Sequence, residues 1–460
     1  MHPLAEGSQQ RRQDMKIGYI GLGALGSQLA RRFAPHSLCV WDINTAAVEA
    51  FKQWGADVAP TAAELARRCD IIFLCLPRSS DVRSALFGPN GLAAQLAPGT
   101  LIIDQTSGIP DETRRMADEL AERGIAMIDA AVSASPLVVA DGKATLMVSG
   151  TDAAYERALP ILQTITPTIY RCGDRVGDGQ AMKMVNNAMN AGCRLGTLEV
   201  VAMGKKAGLS LPLMADVLNR NEAQNQTTDK MLPALAQGKP STNFALTLML
   251  KDVDQAVALG ISKDVPMPLT AIVRALLQIG TNTLGPAAQL EDMVGLIETM
   301  AGTTLYEGDA IAPDTDSRPA ECTENDAVRL VTGAIASLCS AITYECTAAG
   351  LRYGLTLEDM ALILEKTSGW SASSRKLYAQ LLSDFAQDKM TLVAATATLQ
   401  AACLIGNNLG APMLIANATR NLFEQAGNQI SERITVDDLS TFYSSISAVR
   451  LKPSVADDRH

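Results

Sequence analysis

The sequence predicts an α/β domain built on a mainly parallel, doubly wound sheet, followed by an all-α domain made of two tandem repeats. Three observations carry this expectation. Short β-branched apolar runs alternate with amphipathic segments from Met15 to about Arg171. After Gly177 such runs stop, and the chain becomes Ala-, Leu- and Met-rich helical sequence. That helical sequence also matches itself without a gap at an offset of 146 residues. The expected organisation is a polar tail at 1–14, the α/β domain at 15–176, a first helical unit at 177–302, an Asp/Pro/Glu/Thr-rich linker at 303–322, a second unit at 323–448 and a tail at 449–460.

Strands are expected at 16–20, 37–41, 70–76, 100–104, 126–129 and 145–148. Between the first two, Leu25, Leu29 and Phe33 recur at helical spacing and give that helix a buried face. In the helical part Glu199 meets Glu345, Gly208-Leu209 meets Gly354-Leu355, Met214-Ala215 meets Met360-Ala361, Lys230 meets Lys376, and Pro266-Met267 meets Pro412-Met413. Chance resemblance between helices accounts for scattered Leu or Ala matches, but not for Gly and Pro in register. Duplication is the expectation.

Charge and composition narrow the function. With 39 Lys+Arg against 49 Asp+Glu, the balance predicts neither a nucleic-acid nor an anionic-membrane partner. Nine Cys lie scattered without a CxxC pair, the usage of a reduced, cytoplasmic chain. Only His2, His36 and His460 occur, so neither a His-based triad nor a multi-His metal site is expected, and no metal is assigned. A catalytic proton must then travel through another residue type. Arg11-Arg12 precedes an apolar run, but Gly18 and Gly21 break that run and it reads as a strand rather than a signal core. No uninterrupted apolar stretch approaches the roughly 20 residues of a membrane span.

Four motifs carry chemistry. Gly21-Leu22-Gly23-Ala24-Leu25-Gly26 follows a strand and opens a helix, an arrangement that brings backbone N–H groups to a pyrophosphate, as in Rossmann domains. Asp42 ends the next strand about 20 residues later, where a carboxylate grips an adenosine ribose diol. No Arg follows it to receive a 2′-phosphate, which points to NAD; the bland alternative is a helix-capping Asp. Asp104-Gln105-Thr106-Ser107-Gly108-Ile109-Pro110 lies on the carboxyl edge of the sheet, where it serves either a ligand or the next helix as a cap. Asp129-Ala130-Ala131-Val132-Ser133 puts a hydroxyl donor at a strand end, suited to a carboxylate and unremarkable in isolation. Gly177-Asp178-Gly179 then runs into a helix on which Lys183 and Asn187, at i and i+4, share a face. A Lys acting as base near neutral pH must be desolvated; otherwise Lys183 is a solvated helix residue.

Taken in order, these motifs resemble the β-hydroxyacid dehydrogenase family, which includes 3-hydroxyisobutyrate dehydrogenase and tartronate semialdehyde reductase. The resemblance spans about Met15 to Gly302 and includes Lys251-Asp252. It implies NAD-dependent oxidation of a small hydroxy acid, or reduction of the matching oxo acid or semialdehyde, and leaves a homo-oligomer open. Lys183 would accept the hydroxyl proton, Asn187 and Ser133 would position the substrate beside Ala134, and Lys251 would sit near the substrate carboxylate or the nicotinamide. Leu76, Pro77 and Thr106 would join the Gly21–Gly26 turn, Asp42 and Lys251 in holding the cofactor.

The chain departs from the family pattern at Ala134-Ser135-Pro136, where the family has Gly-Gly after the serine, so side chains crowd a substrate loop. In the second copy Lys183, Asn187 and Lys251 become Arg329, Gly333 and Ala397. That copy is expected to have lost the chemistry and to serve as an internal partner for the first. The 6-phosphogluconate dehydrogenases also carry a doubled helical domain, but they resemble Lys-x-x-His-Asn where this chain has Asn186, which ranks oxidative decarboxylation lower. Imine reduction on the same scaffold, and a catalytically silent NAD-binding regulator, are the other readings.

Overall fold

The computed structural model describes residues 16–241, 244–305, 323–383, 391–429 and 435–451. The tail expected at 1–14, most of the linker at 303–322 and residues 452–460 of the C-terminal tail lie outside the described residues. Two compact units divide the chain between Lys183 and Met184.

Among the described residues the first unit holds eight strands: β1 (Ile17–Ile20), β2 (Leu38–Trp41), β3 (Asp57–Val58), β4 (Ile71–Leu74), β5 (Leu101–Asp104), β6 (Ala126–Ser133), β7 (Thr145–Ser149) and β8 (Thr168–Arg171). They form one sheet in the order β3-β2-β1-β4-β5-β6-β7-β8, parallel throughout except that β7 runs antiparallel to β6. Helices α1 (Ala24–Ala30), α2 (Thr45–Trp54), α3 (Ala62–Arg68), α4 (Ser79–Phe87), α5 (Pro110–Ala121), α6 (Pro136–Ala140) and α7 (Asp152–Ile165) connect them. Covering both faces is what makes the strands continuously apolar. Along β4, Ile71 and Phe73 enter one core with Tyr19, Phe33 and Leu101, while Ile72 and Leu74 enter the other with Ile20, Leu65 and Ile102. All six expected strands occur. The sequence reading passed over β3, only two residues long, and β8, whose four residues are all half-buried. It also stopped β6 four residues early, because Ala130-Ala131 carries no β-branched signal.

Helix α8 (Asp178–Lys206) runs from the first unit into the second. The second unit continues with α9 (Leu211–Leu218), α10 (Leu232–Ala236), α11 (Leu246–Ser262), α12 (Pro268–Leu284) and α13 (Met293–Ala301). It then repeats itself as α14 (Glu324–Tyr353), α15 (Leu357–Leu364), α16 (Ala372–Leu381), α17 (Leu392–Asn408), α18 (Leu414–Gln429) and α19 (Leu439–Ile446). Shifted by 146 residues, α9 falls on α15 and α11 on α17 end to end, and the 3-10 turn Leu290–Asp292 falls on Val436–Asp438. The isolated bridge Ala245–Gln289 becomes Thr391–Thr435, while Asn225–Ser371 maps onto itself. That self-mapping bridge marks a pseudo-twofold relation between the copies.

Contacts across the relation are reciprocal. A Cβ on Gly192 would lie 3.0 Å from Ile342, and one on Gly196 would lie 2.7 Å from Leu338, so these glycines let α8 and α14 approach closely. The Glu199 carboxylate accepts the backbone N–H groups of Ile415 and Ala416 at 3.1 and 3.0 Å, capping α18. Its counterpart Glu345 accepts those of Leu269 and Thr270 at 3.0 and 2.7 Å, capping α12. Each copy thus closes a helix end of the other. Burial pushes both carboxyls up to about 7, against the backbone hydrogen bonds that favour the ionised form. Helix α14 is long and apolar enough to cross a membrane by length and composition, though 72% of its most apolar window is buried inside the protein. Its Ser, Thr and Gly residues break the apolar run, which is why the sequence reading did not single it out.

Candidate active site

The glycine-rich turn is built for two different constraints. Gly21 has φ +100°, and a Cβ there would lie 2.2 Å from the Cys75 carbonyl oxygen; on Gly26 it would lie 1.9 Å from the Gly21 carbonyl oxygen. Both are fixed by packing. A Cβ on Gly23 would instead meet nothing within 4 Å. Gly23 is the N-cap of α1, with no side chain capping the helix and no acidic residue in its first turn. Open space before uncapped N–H groups fits a pyrophosphate. Leu22 is buried, Ala24 is exposed and Leu25 packs against the core.

The half-buried Asp42 carboxylate accepts the Leu22 N–H at 2.5 Å and the Asn44 N–H at 2.7 Å. It is therefore not the helix cap. Asn44 is, accepting from Ala46 and Ala47. Thr106 is buried, and its hydroxyl accepts the Leu76 N–H at 3.0 Å, tying the ends of β4 and β5 together; Pro77 beyond Leu76 is exposed.

Three of the sequence motifs converge on the start of α8. Buried Asp129, near the middle of β6, accepts the backbone N–H groups of Gly177 and Gln180 at 2.7 and 2.8 Å and is also bonded by the Ser149 hydroxyl. That hydroxyl in turn accepts the Gly179 N–H at 2.9 Å. A Cβ on Gly179 would lie 2.4 Å from the Met147 carbonyl oxygen, so only glycine lets the helix seat here. Gln180 reaches the second motif, donating to Asp104 at 3.3 Å and to the Thr106 carbonyl at 3.0 Å. Burial raises Asp104 to about 6 and Asp129 to about 7, opposed by these same hydrogen bonds. One turn on, Lys183 is 8% exposed and its Nζ lies 2.5 Å from the half-buried Ser107 Oγ. Lys183 is thus buried rather than a solvated helix residue, and it lies beside a hydroxyl. Ser133 ends β6 and is half-buried, as is Ala134. Ser135 and Pro136 open the five-residue helix α6, so the departure from Gly-Gly starts a helix.

Within the second unit, buried Asn187 donates to Asp252 at 2.7 Å, and the half-buried Lys251 lies 3.9 Å from the same carboxylate. Asn186 donates to the Asn187 side-chain oxygen at 3.0 Å. Its own side-chain oxygen accepts from the Thr367 hydroxyl at 2.7 Å and the Gly369 N–H at 2.8 Å, and its amide also donates to Ser368 at 3.1 Å. A loop of the second copy thereby fixes the side-chain amides of Asn186 and Asn187. In the second copy itself the pair Asn187–Asp252 becomes Gly333–Thr398, where a Cβ on Gly333 would lie 2.7 Å from Thr398. A hydrogen-bonded polar pair has been replaced by close helix packing.

Sequence reasoning missed Asp129, Gln180 and Ser107 as parts of the site, although Asp129 and Ser107 lie inside motifs it quoted and Gln180 directly follows the Gly177-Asp178-Gly179 of another. It had no signal for Thr367–Gly369, whose counterparts in the first copy are Asn221, Glu222 and Ala223. Among the described residues, no cluster of His, Cys, Asp and Glu could hold a metal ion.

Known proteins resemble this chain in both its α/β and its helical parts. Residues 16–173 match the family model described as the NAD binding domain of 6-phosphogluconate dehydrogenase. Residues 177–297 match that described as the NAD-binding domain of NADP-dependent 3-hydroxyisobutyrate dehydrogenase. The chain is 33% identical over 303 residues to 2-(hydroxymethyl)glutarate dehydrogenase of Eubacterium barkeri, covering 64% of this chain and 99% of that one. It is 30% identical over 269 residues to the mitochondrial 3-hydroxyisobutyrate dehydrogenase of Mus musculus, covering 56% and 80%. The solved 6-phosphogluconate dehydrogenase of Plasmodium falciparum shares the fold over 93% of this chain and 95% of its own, with a TM-score of 0.65 at 14% identity.

Proposed function

Because the chain belongs to the β-hydroxyacid dehydrogenase family, a group of nicotinamide-dependent oxidoreductases acting on CH–OH groups, we propose that it oxidises a small hydroxy acid with NAD and uses Lys183 as the base. The nicotinamide supplies the hydride acceptor; the protein supplies orientation and proton transfer. Lys183 takes the proton of the substrate hydroxyl. Its burial and its place beside the Ser107 hydroxyl support that role.

Asn187 has one amide hydrogen committed to Asp252 and its oxygen turned to Asn186. Its second amide hydrogen serves the substrate oxygen. Ser133, beside Ala134, donates to the substrate carboxylate, and Lys251 adds positive charge near it. The Gly21–Gly26 turn takes the pyrophosphate, Leu76, Pro77 and Thr106 line the cofactor, and Asp42 takes the adenosine ribose. Asp42 is already oriented by two backbone N–H groups, and a 2′-phosphate placed there would meet its charge.

Of the two copies, 177–302 carries the chemistry and 323–448 is its internal partner, with the cytoplasm as the expected setting and a homo-oligomer left open. The eight cysteines among the described residues are free thiols, seven of them buried. The single observation that carries the reading is the buried Lys183 on the turn of α8 that Asp129 and Gln180 seat. Its test is a panel of 2- and 3-hydroxy acids with NAD and NADP, followed by nicotinamide absorbance. Steady turnover of at least one acid with NAD is expected, and no turnover of any acid with either cofactor overturns it.

A further inference from the structure

Helix α8 carries a polar stripe longer than the proposed reaction uses. Lys183, Asn187, Asn190 and Arg194, spaced i, i+4, i+7 and i+11, share one helix face. All four are buried, at 8, 4, 7 and 6% exposure. Arg194 is the anomaly. Its Nε points to the Asn190 side-chain oxygen at 3.5 Å and its Nη1 to the Met231 sulfur at 3.2 Å. Among the described residues it makes no ion pair within 4.0 Å, and the acid whose field reaches it, Glu291, already accepts the Ser241 N–H and hydroxyl at 3.0 and 3.2 Å. Burial draws the guanidinium down to about 10, which leaves it cationic at neutral pH. Burying a charge without a counter-ion costs several kcal/mol.

The second copy shows that the fold does not require it. Asn190 and Arg194 correspond to Ala336 and Ser340, and the Ser340 hydroxyl simply bonds back to the Ala336 carbonyl at 3.0 Å. Met231 closes a π-helical turn, Thr227–Met231, whereas the same positions in the second copy lie within the regular helix α16. Pro233, which stands where the second copy has Ala379, cannot donate the α-helical hydrogen bond there. Such turns recur at functional sites. An arginine side chain on a helix leans toward the N-terminus, and its contact with Asn190 brings the guanidinium back toward Asn187. Asn190 lies about 4.5 Å further along the axis than Asn187, the reach of a short carbon chain.

We propose that Arg194, with Asn190, forms an anion subsite for a second acidic group on the substrate, so that the substrate class is hydroxy acids bearing two carboxylates. The inference rests on the proposed reaction for the placement of the first carboxylate, and its test does not depend on turnover. Binding of glutarate and of butyrate to the full-length, NAD-loaded protein is measured by calorimetry, in the wild type and in Arg194→Leu and Arg194→Ser. Neither probe carries a hydroxyl, so binding is read whether or not hydroxy-acid oxidation stands. Glutarate is expected to bind about 10- to 100-fold more tightly than butyrate, the value of a charge-assisted hydrogen-bonded pair. Both variants should erase that preference, keep butyrate affinity and melt no lower than the wild type. Equal affinities in the wild type, or a preference that survives both substitutions, would overturn the proposal.

Discussion

Replacing Glu345 by Ala strips the acceptor from one helix end and leaves its donors buried. The Leu269 and Thr270 N–H groups lose bonds of 3.0 and 2.7 Å, and the Thr270 hydroxyl loses one of 2.6 Å. A lost N-cap costs about 1 kcal/mol, and each buried donor left unsatisfied about 1–3 kcal/mol. Part of this is returned because the carboxylate itself is penalised by burial, as its rise to about 7 shows. The net expectation is about 3–4 kcal/mol. At roughly 2–4 °C per kcal/mol for a unit of this size, the melting temperature falls by about 10 °C. Differential scanning calorimetry of Glu345→Ala and, separately, Glu199→Ala measures it. The counterpart of Thr270 is Ala416, which has no hydroxyl, so Glu199→Ala should lose about 1 kcal/mol less than Glu345→Ala. A shift under 2 °C in either variant would refute the account of the copies as mutual caps.

Other expectations follow from the same contacts. Asp42→Asn should narrow the preference for NAD over NADP, read by fluorescence titration, and tighter binding of NADP by the wild type would sink the ribose assignment. Truncation after Gly302 removes Glu345 and the α14 surface; gel filtration should show aggregation or forced dimers with reduced activity, whereas a well-behaved, fully active monomer would exclude the internal partner. Asp129, Glu199 and Glu345 are each raised to about 7 and Asp104 to about 6, from 3.8 for Asp and 4.5 for Glu. Carboxyls raised in the folded state contribute stability that is complete below their unfolded values and lost as pH rises through about 7. The melting temperature should therefore fall between pH 5 and pH 8, and Glu345→Gln should flatten that slope; a rise over the same range would contradict it.

How much of this was legible in the sequence depends on what kind of constraint each residue obeys. Gly21, Gly26 and Asp42 obey a local rule, a tight turn followed one strand later by a carboxylate, and the spacing alone located them. The duplication was legible because matched Gly and Pro mark helix ends at the same offset in both copies. Asp129 was not, because a buried aspartate capping a helix 48 residues away looks like any strand-end aspartate until Gly177 and Gln180 arrive beside it. The loop Thr367–Gly369 was invisible for a related reason. Its bond to Asn186 spans more than 180 residues, and its counterpart in the first copy shares none of its residues. Asp42 was readable by position, yet its alternative role as a helix cap could be set aside only when Asn44 was seen to fill it.

The central claim is that Lys183 moves the substrate proton. With the best acid from the panel, kcat and NAD affinity of Lys183→Met are compared with those of the wild type across pH. The account predicts a fall in kcat of about 100- to 10,000-fold, the usual contribution of a general base, with NAD affinity nearly unchanged. A variant that keeps nearly full kcat would contradict it.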